Sequence, residues 1–328
     1  MKRTSGLREI PRDEKPPRIG VSSCLLGHEV RFDGGHKRNH FLLAELAPFV
    51  EFVPVCPEVE IGLGVPRPTL RLVQQGDEVQ LREAKTERDH SAAMRRYARR
   101  RVAGLAKLGL GGYVLKNRSP SCGMERVKVY EPGKPGRRVG RGLFAEVLLE
   151  ALPNLPVEEE GRLQDTPLRD NFIERVFAYR RLRALFAGPW RARDVVAFHT
   201  AHKLQLMAHA TTAYRELGRR VAEVRRAPRA AFREHYECAF MAALARRATP
   251  GRNANVLQHM AGHLRKRLDD ASRRELADLI EEYRKGAAPL VAPLVLLRHH
   301  ARHHQVDYLL GQTVLHPDAE ELMLRNHA

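Results

Sequence analysis

Three cysteines in this chain share a setting that permits chemistry. Cys24 lies in Ser22–Gly27 (SSCLLG), Cys56 in Pro54–Glu58 (PVCPE) and Cys122 in Ser119–Gly123 (SPSCG). Each follows a short apolar run and is flanked by Gly, Pro or Ser, the composition of a loop at a strand end. Thiolates on converging loops, surrounded by backbone amides, suit an iron-sulfur cluster or another thiophilic metal. Three unrelated reduced thiols fit the composition at least as well, because spacings this wide are not diagnostic. The spacing does count against zinc fingers, which pair their ligands closely, and against the close-set ferredoxin run. A cubane on three thiolates would leave one iron open to a substrate atom, which favours catalysis over electron transfer. Cys238, within a helical pattern further on, reads as a buried thiol packing as a small hydrophobe.

Such loops need elements to aim them. Arg18–Leu25, Phe52–Cys56 and Gly112–Leu115 read as strands, with helices over His40–Ala47 and Thr86–Leu108. The pattern predicts a Rossmann-like α/β domain with a mainly parallel sheet, whose functional residues sit on loops at the carboxyl ends of strands. A proline- and acid-rich stretch, Pro153–Gly161, marks a seam. Beyond it, helical periodicity covers Phe172–Leu185, Ala192–Leu217, Ala230–Ala245, Asn253–Leu268, Ser272–Lys285 and Leu290–Gln305. The expected organisation is a charged tail at 1–17, an α/β domain at 18–157, a linker at 158–167 and an all-α helical domain at 168–328.

The 328 residues carry 57 Lys+Arg against 39 Asp+Glu, a net charge of +18. That excess points to a polyanionic partner such as a nucleic acid. Residues 1–160 hold +7 and residues 161–328 hold +11. Basic runs occur at Arg95–Arg101, Arg137–Arg141, Arg219–Arg226 and Arg265–Arg267; any one is ordinarily a solvated face, while together they favour a phosphate-tracking surface. Aromatic residues make up only 6% of the chain, so base stacking is less supported than phosphate contact. No apolar stretch reaches the length of a membrane span, and widely spaced cysteines read as reduced thiols, so the expected location is the cytoplasm.

The segments Val21–Gly34 (VSSCLLGHEVRFDG), Val55–Pro68 (VCPEVEIGLGVPRP) and Leu115–Gly123 (LKNRSPSCG) resemble the three signature segments of the thiouracil desulfidase family. The resemblance covers Arg18–Leu152 and implies a 4Fe-4S cluster with three cysteine ligands, Cys24, Cys56 and Cys122. Phe32 departs from the family's usual tyrosine, which removes a hydroxyl but no ligand. Three further pieces, Phe198–Leu204 (FHTAHKL), Asn255–His259 (NVLQH) and Leu324–His327 (LRNH), resemble the helical domain of bacterial tRNA 4-thiouridine desulfidases. That fusion implies thiolated tRNA as substrate, held by the basic helical domain at 168–328 as a tRNA-binding domain, and no obligate protein partner is inferred.

The resemblance therefore implies an enzyme that removes sulfur from 4-thiouridine in tRNA by Lewis-acid-assisted, non-redox hydrolysis, giving uridine and sulfide. Desulfidation of free thiouracil and a redox-sensing RNA-binding protein without turnover are the competing readings. Glu58, on the loop of Cys56, is the candidate general base, against the bland reading of a carboxylate capping local amides. Ser119 is the candidate proton donor or water-positioning group, against ordinary turn chemistry. Lys116, Asn117 and Arg118 are candidates to contact the base or a phosphate. Asp33 is a candidate to hold the Cys24 loop, and Arg67, between two prolines, to present its guanidinium to an anion. The histidines at 199, 202, 209, 259 and 263 and the cluster at 299–304 lack a carboxylate partner or a zinc motif, so no metal is assigned to them.

Overall fold

The computed structural model describes residues 15–131, 133–315 and 321. The chain divides into two compact units, the first ending at Tyr179 and the second beginning at Arg180. The first is a mixed α/β domain and the second an all-α bundle, as the sequence pattern predicts.

The first unit holds a parallel sheet of β1 (Arg18–Ser22), β2 (Glu51–Val55), β5 (Gly112–Leu115) and β8 (Val157–Glu159), in the order β2-β1-β5-β8. The central strands are buried almost throughout, as strands covered on both faces must be. Gly20 on β1 is a packing requirement, since a Cβ there would stand 2.2 Å from the ring of Tyr113. Helix α2 (Ser91–Leu108) and helix α3 (Leu143–Ala151) contribute Met94, Tyr97, Leu105, Phe144 and Leu148 to the core around Tyr113 and Leu115.

A second sheet, in the order β4-β3-β6-β7, was not among the strands expected from the pattern. It comprises β3 (Leu70–Gln75), β4 (Glu78–Glu83), β6 (Val127–Tyr130) and β7 (Arg137–Gly140). Leu70, Leu72, Leu81, Val127 and Val129 face the core from this sheet. The positions between them are mostly polar or charged, so no strand here forms the continuous apolar run that marks β1 or β5.

The acid run Glu158-Glu159-Glu160, expected within the linker and its margin, instead supplies the edge strand β8 and the residue after it, all buried. Their carboxylates are occupied. Glu158 pairs with Arg162 at 2.6 Å, Glu159 accepts the Met124 amide at 2.8 Å, and Glu160 binds Lys116 and the Asn117 amide. Helix α4 (Thr166–Phe186) follows at once and covers the sheet, with Phe172 and Val176 against Gly112.

In the second unit, the periodicity expected to run unbroken over Ala192–Leu217 is split into α5 (Ala192–His209) and α6 (Thr211–Ala222) by an extended Ala210. Tertiary bonds hold that break: His209 Nδ1 lies 2.5 Å from the Arg246 carbonyl, and Arg252 donates to the His209 carbonyl at 2.9 Å. Helices α7 (Arg229–Leu244), α8 (Pro250–Leu264), α9 (Asp270–Lys285), α10 (Val291–His303) and α11 (Asp307–Leu310) complete the bundle. Phe232, Tyr236 and Phe240, four apart on α7, form a stacked row against Phe186 and Phe198. Cys238 on the same helix is exposed, contrary to the buried position expected of it, because Tyr236 and Phe240 occupy the inward face. Among the described residues no helix is long and apolar enough to cross a membrane.

Candidate functional site

Three loops leave the carboxyl ends of neighbouring parallel strands and carry the three cysteines. β1 runs directly into a 3-10 turn over Ser23–Leu26 that holds Cys24 and closes on Gly27 at φ 93°. A residue with a Cβ is strained at that φ, so the turn calls for glycine. β2 ends at Cys56, whose extended backbone caps the short helix α1 (Pro57–Glu60). β5 ends in the Lys116–Gly123 loop, in which Ser119 Oγ accepts the amides of Ser121 at 3.2 Å and Cys122 at 3.1 Å. The strand-end placement expected from the flanking residues is thus observed for all three.

Charge and burial set the state of the thiols. Burial pushes Cys24 up to about 11, with the Lys116 ammonium pulling the other way and Cys56 adding to the rise. Burial likewise raises Cys56, opposed by the amide of Val59 at the start of α1. It raises Cys122 well above the usual thiol range, with the Glu58 charge adding to the effect and a bond to Ser22 opposing it. Cys56 Sγ donates to the Val30 carbonyl at 3.7 Å.

These facts correct the expected cofactor. The thiols are near enough to raise one another's proton affinity, yet among the described residues no group of three or more His, Cys, Asp or Glu is arranged to hold a metal ion. A 4Fe-4S cluster needs thiolates converging on common metal positions. Here the donors are neutral thiols, Cys122 buried and Cys24 and Cys56 half-buried, with Cys56 and Cys122 engaged with Val30 and Ser22, so the set does not fit a cluster on Cys24, Cys56 and Cys122.

Glu58 stands at the centre of the loops. Its Oε2 receives Arg67 Nε at 2.9 Å and Nη2 at 2.6 Å, while Oε1 accepts the Ser121 hydroxyl at 2.9 Å. The Arg67 side chain is 3% exposed and that of Glu58 14%, so the pair is largely removed from water. Arg67 also donates to the Gly64 carbonyl at 3.0 Å, and its amide donates to the Phe32 carbonyl at 2.9 Å, which ties the segment beyond Cys24 to the loop of Cys56.

The remaining candidates fall into two groups. Lys116 joins Glu160 and Asn117, and its charge is felt at Cys24. Asn117 is held through its amide by Glu160 at 2.8 Å, and Arg118 takes a left-handed backbone at φ 58° that turns the loop toward Ser119. Asp33 is exposed. It accepts the Gly35 amide at 3.2 Å and pairs with Arg31, which together hold its carboxyl below the usual range.

Two residues at the site went unselected by sequence reasoning. Ser121 is the hydroxyl that reaches Glu58, and Ser22 accepts the Lys116 amide at 2.9 Å while bonding the Cys122 thiol. Neither carries a spacing signal. Ser22 is a strand-end serine among apolar neighbours, and Ser121 differs from Ser119 only in which way its turn points it.

Residues 19–160 match the family described as 2-thiouracil desulfurase, and residues 203–318 match a protein of unknown function, DUF1722. Uncharacterized protein YbgA of Escherichia coli (strain K12) is 31% identical over 144 residues, 44% of this chain and 85% of that protein. Uncharacterized protein YbbK of Bacillus subtilis (strain 168) is 29% identical over 153 residues, 45% of this chain and 98% of that protein. Among solved structures, the 4Fe-4S-dependent thiouracil desulfidase TudS is 30% identical, covering 45% of this chain and 94% of that one with a TM-score of 0.38. The chain belongs to the family of YbgA, and it joins an N-terminal domain of the thiouracil desulfidase type to a C-terminal DUF1722 domain of unknown function.

Proposed function

We propose that the first unit desulfurates a thiolated pyrimidine, and that its substrate is 4-thiouridine carried in tRNA. The observation that carries this reading is the Ser121–Glu58–Arg67 array set among three cysteine loops, in a domain matching the 2-thiouracil desulfurase family. The +18 net charge supports a polyanionic carrier of the base over the free base.

The reaction exchanges one atom for another without electrons. Water adds at the thiocarbonyl carbon, the carbon-sulfur bond breaks, and both water protons leave with sulfur as hydrogen sulfide while oxygen stays on the ring. Glu58 is the group for the first proton: one carboxylate oxygen accepts it from water while the Arg67 guanidinium holds the other in place. The Ser121 hydroxyl, already bonded to Glu58, relays a proton toward the departing sulfur. Ser119 keeps the turn that aims Ser121, and Lys116, anchored by Glu160, places a positive charge beside Cys24 for the charge that builds as water adds. Arg118 and Asn117 line the same loop as contacts for the base or its phosphate.

The test incubates the full chain with tRNA containing 4-thiouridine and, separately, with free 2-thiouracil. Sulfide release matched by conversion of 4-thiouridine to uridine is the expected result. Turnover of the free base with tRNA untouched would shift the substrate to thiouracil. Absence of sulfide from both would end the desulfidase reading.

A further inference from the structure

We infer that the outer face of the mixed sheet is an RNA phosphate-binding surface that delivers the substrate to the Cys122 loop. The inference rests on the reading of a tRNA-borne base and adds the surface that would hold it. Strand registers fix which side chains share this face. Lys128 on β6 lies directly opposite Arg138 on β7, and Arg71 on β3 lies directly opposite Arg82 on β4. Val127 and Val129 flank Lys128 and point into the core, so Lys128 points outward.

Like charges placed directly opposite on antiparallel strands repel. The two pairs are treated differently. Arg71 and Arg82 share Glu87, which pairs with both. Lys128 and Arg138 are exposed, and among the described residues neither side chain has a hydrogen-bond or ion-pair partner. A repulsive pair left without a carboxylate, in the same sheet as a pair that has one, is a local rule broken at a functional position. Phosphate oxygens are the anion that would satisfy it. Tyr130, half-buried under the Arg71 guanidinium at 5.6 Å, puts a ring at the centre of this cationic face.

The position of the hairpin gives the surface its purpose. β6 begins at Val127, shortly after Cys122, and β7 returns to the same loop, where Arg141 Nε donates to the Met124 carbonyl at 3.0 Å and the Gly142 amide to the Gly123 carbonyl at 2.8 Å. A strand of RNA held along Lys128 and Arg138 therefore lies beside the loop that carries Ser121 and Cys122.

The experiment measures binding of the full chain to a fluorescein-labelled tRNA transcript without thiolation, across a salt series. K128Q/R138Q is expected to weaken binding roughly ten-fold at low salt and to reduce the slope of log Kd against log salt by about two. R138E places a carboxylate opposite Lys128, so its melting temperature is expected to equal or exceed that of the parent while tRNA affinity falls further. A purely structural role for Arg138 cannot produce that divergence. Parent-like tRNA affinity in folded R138E, or a parent that fails to bind tRNA, would overturn the assignment. Sulfide release from free 2-thiouracil is followed in the same samples and is expected to be unchanged by either variant. If the parent releases none, the desulfidase reading falls while the binding result stands.

Discussion

Glu58 and Arg67 are joined by two hydrogen bonds, 2.9 Å to Nε and 2.6 Å to Nη2, in a setting from which water is nearly excluded. The guanidinium fork is spent on a single carboxylate oxygen, so the other remains free to receive Ser121. Replacing Arg67 by alanine leaves a carboxylate in the interior without its counter-charge. The expected cost is about 3–5 kcal/mol, read as a fall in the urea midpoint at constant slope. Glu58→Gln in the same assay leaves the buried Arg67 guanidinium without its counter-charge, so it should destabilise as well, and it should abolish sulfide release. A midpoint unmoved by Arg67→Ala would show that the pair contributes nothing to holding the loops.

Gly142 lies where α3 begins, and its missing side chain is a requirement of the site. A Cβ there would come within 2.5 Å of the Ser121 carbonyl carbon and oxygen, which are backbone atoms that cannot swing aside. Gly142→Ala is expected to push the Ser121 peptide away from Glu58, destabilise the domain by about 1–3 kcal/mol and remove most activity. Hydrogen exchange of the Cys122 and Phe144 amides, which bond Ser119 and Ser121, offers the check; unchanged protection would contradict it.

His199 gives the second unit a pH response of definite sign. Its ring is buried and bonded to the Tyr236 hydroxyl at 3.1 Å, and burial pushes its pKa down to about 4 from 6.5. Above pH ~6.5 the ring is neutral whether folded or unfolded, and the shift costs nothing. As pH falls toward about 4, the unfolded chain takes the proton and the folded one does not, so stability drops by about 3 kcal/mol over that window. The one tryptophan, Trp190, packs 5.4 Å from Phe186 and 5.8 Å from Phe232, so its fluorescence reports on this unit. His199→Gln is expected to flatten the acid side of the stability profile, and an unchanged profile would assign the loss to other groups.

Glu160 is predicted to matter through what it holds. Its carboxylate binds both the Lys116 ammonium and the Asn117 amide. Glu160→Gln keeps an acceptor for the amide and loses the ion pair. It is expected to lower kcat more than it raises KM, with a stability cost of about 1–3 kcal/mol. A raised KM with kcat unchanged would instead place Lys116 in ground-state binding.

The parallel sheet and its cysteine loops were legible because apolar runs ending at Gly, Pro and Ser reflect the local physics of buried strands meeting turns. The mixed sheet was not. Leu70, Leu72, Val79 and Leu81 do alternate with polar positions, but the strands are only four to six residues long, too short for the alternation to stand out. The acid run at 158–160 misled for a different reason. Three consecutive glutamates resemble a solvated linker until Arg162, the Met124 amide and Lys116 neutralise them, and two of those partners come from distant sequence. The metal expectation failed on geometry: loop convergence follows from strand ends, whereas the direction of each sulfur depends on bonds such as Cys56 to Val30 that no spacing encodes.

The order of the parallel sheet carries a consequence for synthesis on the ribosome. β5, a central strand, pairs with β1 on one side and with β8 on the other, so the sheet lacks an edge until residues 157–159 have emerged. Helix α4 must then follow, because Phe172 and Val176 fill the space left by Gly112. The nascent chain therefore exposes an unpaired strand until residues 157–159 have been made and an uncovered sheet face until Val176, and a gene truncated at the proline-rich seam should give an aggregating product.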